Sequence, residues 1–198
     1  MSVFDRAFFE RPSVDVAPHL LGAVLRHTTD AGTVGVRITE VEAYIGQGVD
    51  PGSHAFRGKT ARNASMFGEP GHLYCYFTYG MHVCANVVCS PDGEASACLI
   101  RAGEVVEGIE LARFRRTTSK SDRDLAQGPA RLVVALGISL AQNGSDLFAP
   151  PFSLEPAAEP AAYETGPRTG VAGGADLPWR FWIPGESSVS PYKRHPKV

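Results

Sequence analysis

Residues 33–44 read TVGVRITEVEAY. Val34, Val36 and Ile38 alternate with Arg37 and Thr39, the period of two expected of a strand with one buried and one wet face. The run predicts a half-buried strand that ends in two carboxylates, Glu40 and Glu42. On a strand these share a face with Tyr44, because successive side chains point to opposite sides. Upstream, RPSVDVAPHLLGAVLR (11–26) sets Val16, Leu20, Leu21 and Val24 near helical spacing before the turn signal TTDAGT, so a helix leads into the strand.

Downstream, residues 45–72 are rich in Gly, Pro, Ser and Asn and read as a long loop with one helical turn near 60–66. Loops of that length inside a compact domain are uncommon and tend to be functional. YCYFTYGMHVCANV (74–87) then reads as a hairpin, with Gly80 permitting the turn. Its tip is apolar where Asn-Gly or Asp-Gly is usual. A third strand follows over 95–105, then a helix over 104–116 (EVVEGIELARFRR). Another helix starts at Pro129, inside GPARLVVALGISL. The Pro/Ala-rich stretch 148–170 reads as an irregular surface wrap, and WRFWIPG as a last short strand. The fold class expected is α+β: a single mixed domain over 1–198 with a curved antiparallel β-sheet, surrounding helices and a protruding β-hairpin.

A chain of 198 residues with 43% hydrophobic composition can bury one sizeable core. It contains no apolar run of 18 residues, and acidic and basic residues interrupt its start, so neither a membrane span nor a secretory signal is expected. A cytoplasmic protein follows. Cys75, Cys84, Cys89 and Cys98 lack CxxC pairing and read as buried reduced thiols rather than zinc ligands. The net charge of −2 hides a basic stretch, 113–131, which carries six Arg or Lys against two Asp.

The chemistry-bearing residues converge weakly one by one. Glu42 ends an apolar run, His54 sits in the Gly-rich loop, Tyr74 and Tyr76 share one face of the hairpin, Asn86 lies on its returning strand, and Arg101 ends the run ACLI. Together they suggest a cavity with aromatic walls and a few convergent polar groups.

The segments RITEVEAYIG, SHAFRGKTARNASMFGEPGHLYCYFTYGMHVCANVV, ACLIRAGEVVEG, LAQGPARLVVALGI and GPRTGV, in that order, closely resemble the alkyladenine DNA glycosylases, also called methylpurine DNA glycosylases. The resemblance spans about residues 8–184. It implies an enzyme that rotates a damaged purine out of duplex DNA and hydrolyses its N-glycosidic bond, leaving an abasic site, with no metal or other cofactor. Glu42 would be the catalytic carboxylate that activates water, and Arg101 would hold that water and the lesion phosphate. The flipped base would lie between Tyr44 on one side and His54 and Tyr76 on the other, with Asn86 crowding the purine 2-position against normal guanine. Tyr79, with Met81, would enter the minor groove as a plug, and Gly128 and Arg131 would meet the DNA backbone. His82 departs from family members that carry an aromatic there. The partner implied is double-stranded DNA containing damaged purines, met by a monomer with no membrane association. Two other readings stay open: a lesion-binding protein that does not cut, and an α+β protein with a small-molecule pocket.

Overall fold

A computed structural model describes residues 4–78 and 80–198. Two short helices come first, α1 (Arg6–Phe9) and α2 (Ser13–Leu20). Helix α2 stops where Leu21 turns extended and Gly22 takes a positive φ of 81°, which only glycine adopts at no cost. The helix expected over 11–26 is therefore too long. Its last residues belong instead to strand β1 (Val24–Thr29), which turns back into β2 (Gly32–Ile45) through the predicted turn.

The long loop after β2 contains one 3-10 turn, Ala64–Phe67, and leads to the hairpin β3 (Leu73–Thr78) and β4 (His82–Val88). Strand β5 (Ser96–Glu107) follows. It runs further than expected, so the next helix, α3, covers only Ile109–Arg115. Gly108, at φ +69°, separates the two; a Cβ there would lie 2.1 Å from the carbonyl oxygen of Thr33. Helix α4 (Pro129–Leu136) has Pro129 in its first turn, as its sequence predicts. The Pro/Ala-rich stretch is less irregular than expected: it contains β6 (Phe152–Glu155) and β7 (Glu164–Gly166), with β8 (Arg180–Trp182) after it.

The strands form one open antiparallel sheet in the order β3-β4-β5-β2-β1-β6. On its other flank β2 forks. Residues up to Arg37 pair with β1, whereas Glu40, Glu42 and the residue between them pair with β8. The α+β class with a protruding hairpin is as expected, but β2 is not half-buried. Almost every residue from Val34 to Ala43 is buried, because strands flank it and material covers both faces.

The fork coincides with an irregularity that places the site. Thr39 in β2 and Arg101 in β5 have no partner in the β2–β5 ladder, and the register shifts on either side of Glu40. Before this point Val34, Val36 and Ile38 enter the main core; after it the core residues are Val41 and Ala43. The inward parity has changed by one residue, as a β-bulge requires. Strand β5 does the same, from Val105 to Ile100 and Cys98. Glu40, Glu42 and Tyr44, which by simple alternation would follow Ile38 into the core, are thereby turned to the opposite face.

Helices α2 and α4 contribute Val16, Ala17, Leu20, Leu132, Val133, Ala135 and Leu136 to the main core. On the other face a smaller apolar cluster, Ala55, Met66, Phe67, Tyr74, Val88, Ala95 and Ala97, lies under the long loop, with Tyr44 and Tyr76 packed on it. The four cysteines are buried and unbridged. Among the described residues no helix is long and apolar enough to cross a membrane.

Gly108→Ala should destabilise the protein by roughly 1–2 kcal/mol from the left-handed backbone alone, and further through the clash with Thr33. Urea unfolding should show a lower midpoint at an unchanged slope.

Candidate active site

The parity change brings β2, β4 and β5 together on the face away from the main core. Tyr44 comes from β2, Cys84 and Asn86 from β4, and Leu99 and Arg101 from β5; all five line a cavity of about 460 Å³. The hairpin adds Tyr74, Tyr76, Thr78 and His82, and the long loop adds Pro51, Gly52, His54 and Met66. The segment Thr169–Gly173, the start of α4 and His195 complete the wall. The cavity has the size and the mixed aromatic and polar lining of a small-molecule or nucleobase site.

Its aromatic wall is interlocked. The His54 ring stands edge-on to Tyr76 at 4.5 Å, and its Nδ1 lies 3.1 Å from the Tyr74 hydroxyl. Burial, and secondarily Arg62, lowers the His54 pKa, which favours the neutral imidazole at neutral pH. Burial pushes Tyr74 up to about 12, and Tyr76 and Tyr44 upward as well, so all three keep neutral phenols. Asn86 is buried and donates through Nδ2 to the Tyr74 carbonyl at 2.9 Å, which fixes the orientation of its amide.

Glu42 lies behind this wall rather than on it. It is fully buried, accepting from the Tyr44 hydroxyl at 2.8 Å on one oxygen and from the Thr169 N–H at 2.6 Å on the other. Arg101 Nη1 stands 3.4 Å from that second oxygen. Arg101 and Thr169, the two groups that meet this oxygen, both line the cavity.

Arg101 is itself held from behind. Its Nε donates to Glu40 at 3.0 Å and its Nη2 to the Ser190 hydroxyl at 3.1 Å. Burial disfavours its charge, but Glu42 and Glu40 outweigh burial and raise its pKa. Glu40 also accepts from Arg180 Nε at 2.6 Å and from the Ser190 N–H at 2.8 Å. Burial would raise the Glu40 pKa, but Arg101, Arg180 and the Ser190 N–H together bring it below the usual carboxylate range.

A second buried pair stands behind Tyr44. Arg168 makes a two-pronged bond to Asp50 at 2.6 and 2.7 Å, donates to the Ala43 carbonyl at 3.0 Å, and places its guanidinium 4.5 Å from the Tyr44 ring centroid. This pair ties the long loop to the segment after β7. The two backbones meet so closely that a Cβ on Gly52 would lie 2.6 Å from the Gly173 carbonyl oxygen.

The sequence-predicted residues Tyr44, His54, Tyr76, Asn86 and Arg101 thus meet around one cavity, with Glu42 behind it. Gly128 precedes α4, whose first residues reach the cavity rim. Arg131 is half exposed and 3.6 Å from Asp124, so it is already paired. Met81 is 70% exposed at the hairpin, next to Gly80. Tyr79 lies outside the described residues. Sequence reasoning did not single out Asp50, Arg168, Thr169, Arg180 or Ser190 as site residues. The long loop, GPRTGV and WRFWIPG, which carry Asp50, Arg168 with Thr169, and Arg180, were noted as segments, but no local pattern marks these residues within them.

The model of the family described as Methylpurine-DNA glycosylase (MPG) matches residues 7–187 of the chain. A curated relative from Leifsonia xyli subsp. xyli is 65% identical over 199 residues, covering 96% of this chain and 93% of the relative. Another, from Streptomyces avermitilis, is 56% identical over 196 residues, covering 96% and 92%. A third, from Burkholderia lata, is 51% identical over 193 residues, covering 96% and 91%. All three carry the provisional name 3-methyladenine DNA glycosylase.

Glu40→Gln should destabilise the protein by about 3–5 kcal/mol, because it leaves two buried guanidiniums undercompensated. Since the folded-state pKa of Glu40 is depressed, its stabilisation is fully present above the unfolded value of about 4.3 and is lost as pH falls through the folded one. Wild-type unfolding free energy, measured in urea at successive pH values, should therefore drop more steeply below about pH 4.3 than that of the variant. Parallel profiles would refute the role given to Glu40.

Proposed function

Because the chain belongs to the methylpurine-DNA glycosylase family, we propose that this DNA glycosylase removes damaged purines by flipping them into the cavity behind the hairpin. The substrates are alkylated purines such as 3-methyladenine and 7-methylguanine, or deaminated and etheno purines such as hypoxanthine. Base excision repair is the process such a hydrolase of N-glycosidic bonds serves.

The observation that carries this reading is the arrangement of Glu42, Arg101 and Thr169 at the inner end of an aromatic cavity. A base stacked in a duplex cannot reach a carboxylate so deeply enclosed, so the nucleotide must leave the stack. An alkylated purine carries positive charge and is attracted to electron-rich ring faces. Tyr44, Tyr74 and Tyr76 supply neutral phenols, and His54 an imidazole disfavoured from protonation. The two buried cations beside the cavity, Arg101 and Arg168, are each matched by carboxylates, which offsets their repulsion of a cationic base. Asn86, held by its bond to the Tyr74 carbonyl, is the proposed group that crowds the purine 2-position and disfavours guanine.

In the proposed reaction a water held between Glu42, Arg101 and Thr169 gives its proton to Glu42 and attacks C1′ as the bond to the purine lengthens. The negative charge of Glu42 also stabilises the cationic sugar that develops. A cationic methylpurine leaves as a neutral base and needs no further proton, whereas a neutral lesion such as hypoxanthine takes up a proton from water as it leaves. Among the described residues lining the cavity there is no lysine, the amine that would support strand cleavage through a Schiff base. The proposed product is thus an abasic site. Tyr79 and Met81 are the proposed plug, filling the gap left in the duplex.

The full burial of Glu42 also suits a protein that binds lesions without cutting, and base release decides between the two. On single-lesion duplexes carrying 3-methyladenine, 7-methylguanine or hypoxanthine, wild type should release base, and Glu42→Gln should be slower by at least about 100-fold while still binding. A stable complex with no released base across the panel would favour the non-cutting reading. Tyr79→Ser should lose release from duplex while retaining it from single-stranded substrate; full activity on duplex would remove Tyr79 from the plug.

A further inference from the structure

Residues 188–198 lie beyond the stretch matched by the family model, yet they are anchored in the centre of the site. Ser188 is buried and its hydroxyl lies 2.9 Å from that of Thr39, at the irregularity in β2. Ser190 joins the charge cluster through three groups: its N–H donates to Glu40, its hydroxyl accepts from Arg101, and its carbonyl accepts from Arg180 at 3.0 Å. Two residues on, Tyr192 lies beside the Arg180 guanidinium at 5.7 Å. The Lys193 carbonyl then accepts from the Gly170 N–H at 2.8 Å, which docks the segment on the loop that walls the cavity. His195 consequently lines the cavity.

The charge of this segment differs from that of the rest. Residues 190–198 carry Lys193, Arg194 and Lys197 and no Asp or Glu. The remaining chain holds 16 Lys and Arg, 19 less these three, against all 21 Asp and Glu. All three side chains are exposed, and none makes an ion pair among the described residues. By contrast, Arg113 in the longer basic stretch already faces Glu110 and Asp122, and Arg131 faces Asp124.

We propose that residues 191–198 form a DNA-binding arm, in which Lys193, Arg194 and Lys197 contact phosphodiester oxygens of the lesion-bearing strand at the cavity mouth. His195 packs between that strand and the cavity. The proposal rests on the glycosylase reading above and names the part of the protein that holds the strand entering the site. Exposed cations gain little from surface ion pairs, but on DNA each neutralised phosphate releases condensed counterions, and that gain depends steeply on salt. Because Ser190 ties the arm to Arg101 and Glu40, the arm is held in register with Arg101.

The test uses the full chain carrying Lys193→Ala, Arg194→Ala and Lys197→Ala together, with binding to a hypoxanthine duplex measured from about 0.05 to 0.3 M salt. The slope of log affinity against log salt should become shallower by about two to three, and affinity near 0.15 M salt should fall about tenfold or more. Lys193→Arg with Lys197→Arg should keep the wild-type slope. A triple variant with wild-type slope and affinity would overturn the arm. Base release by wild type is scored separately: its absence would remove the glycosylase reading, while a shallower slope in the triple variant would still establish the arm.

Discussion

Two residues without a ladder partner, Thr39 in β2 and Arg101 in β5, set the rest of this molecule. Strict alternation would point Glu40 and Glu42 into a core of Val, Ile and Leu, where an unpaired carboxylate would be too costly to keep ionised. The irregularity turns them to the other face, where guanidiniums are within reach. It also opens the fork at which β8 joins β2, and β8 supplies one of those guanidiniums, Arg180.

Once the carboxylates are buried, charge matching shapes the site. Glu40 is satisfied by Arg101, Arg180 and Ser190, Glu42 by Tyr44, Thr169 and Arg101, and Asp50 by Arg168. The partners come from several segments of the chain, so the long loop, the segment after β7, strand β8 and residues 188–190 are pulled together. Such pairs contribute less to net stability than their short distances suggest, because desolvation offsets much of the attraction. Their effect here is positional: Arg101 and Tyr44 are each fixed from behind, leaving their cavity-facing sides to meet a ligand.

The hairpin answers to a different constraint. Tyr74 and Tyr76 face the cavity and Cys75 enters the main core, whereas Phe77 and Met81 remain exposed. Apolar residues gain nothing by sitting in water, so their exposure beside a cavity mouth makes sense as a surface for a partner. For a glycosylase that partner is DNA, and His195 of the basic segment 190–198 lines the same cavity.

The strand in 33–44, the turn at Gly80, Pro129 at the start of a helix and the Gly-rich loop were legible in the sequence, because each is a local signal with a local cause. The residues Glu42, Tyr44, His54, Tyr76, Asn86 and Arg101 were legible as well, through the order of motifs they share with a known family. The ends of the first helix and of β5 were not, since Gly22 and Gly108 act through backbone conformation against Ile38 and Thr33, far along the chain. Nor were Asp50, Arg168, Arg180 and Ser190, whose importance comes only from the partner that folding sets beside each. Sequence by itself determined which residues carry charge, aromatic rings and periodicity. Only the tertiary structure decided which face each strand residue occupies past the irregularity, because one unpaired residue reverses the parity of all that follow.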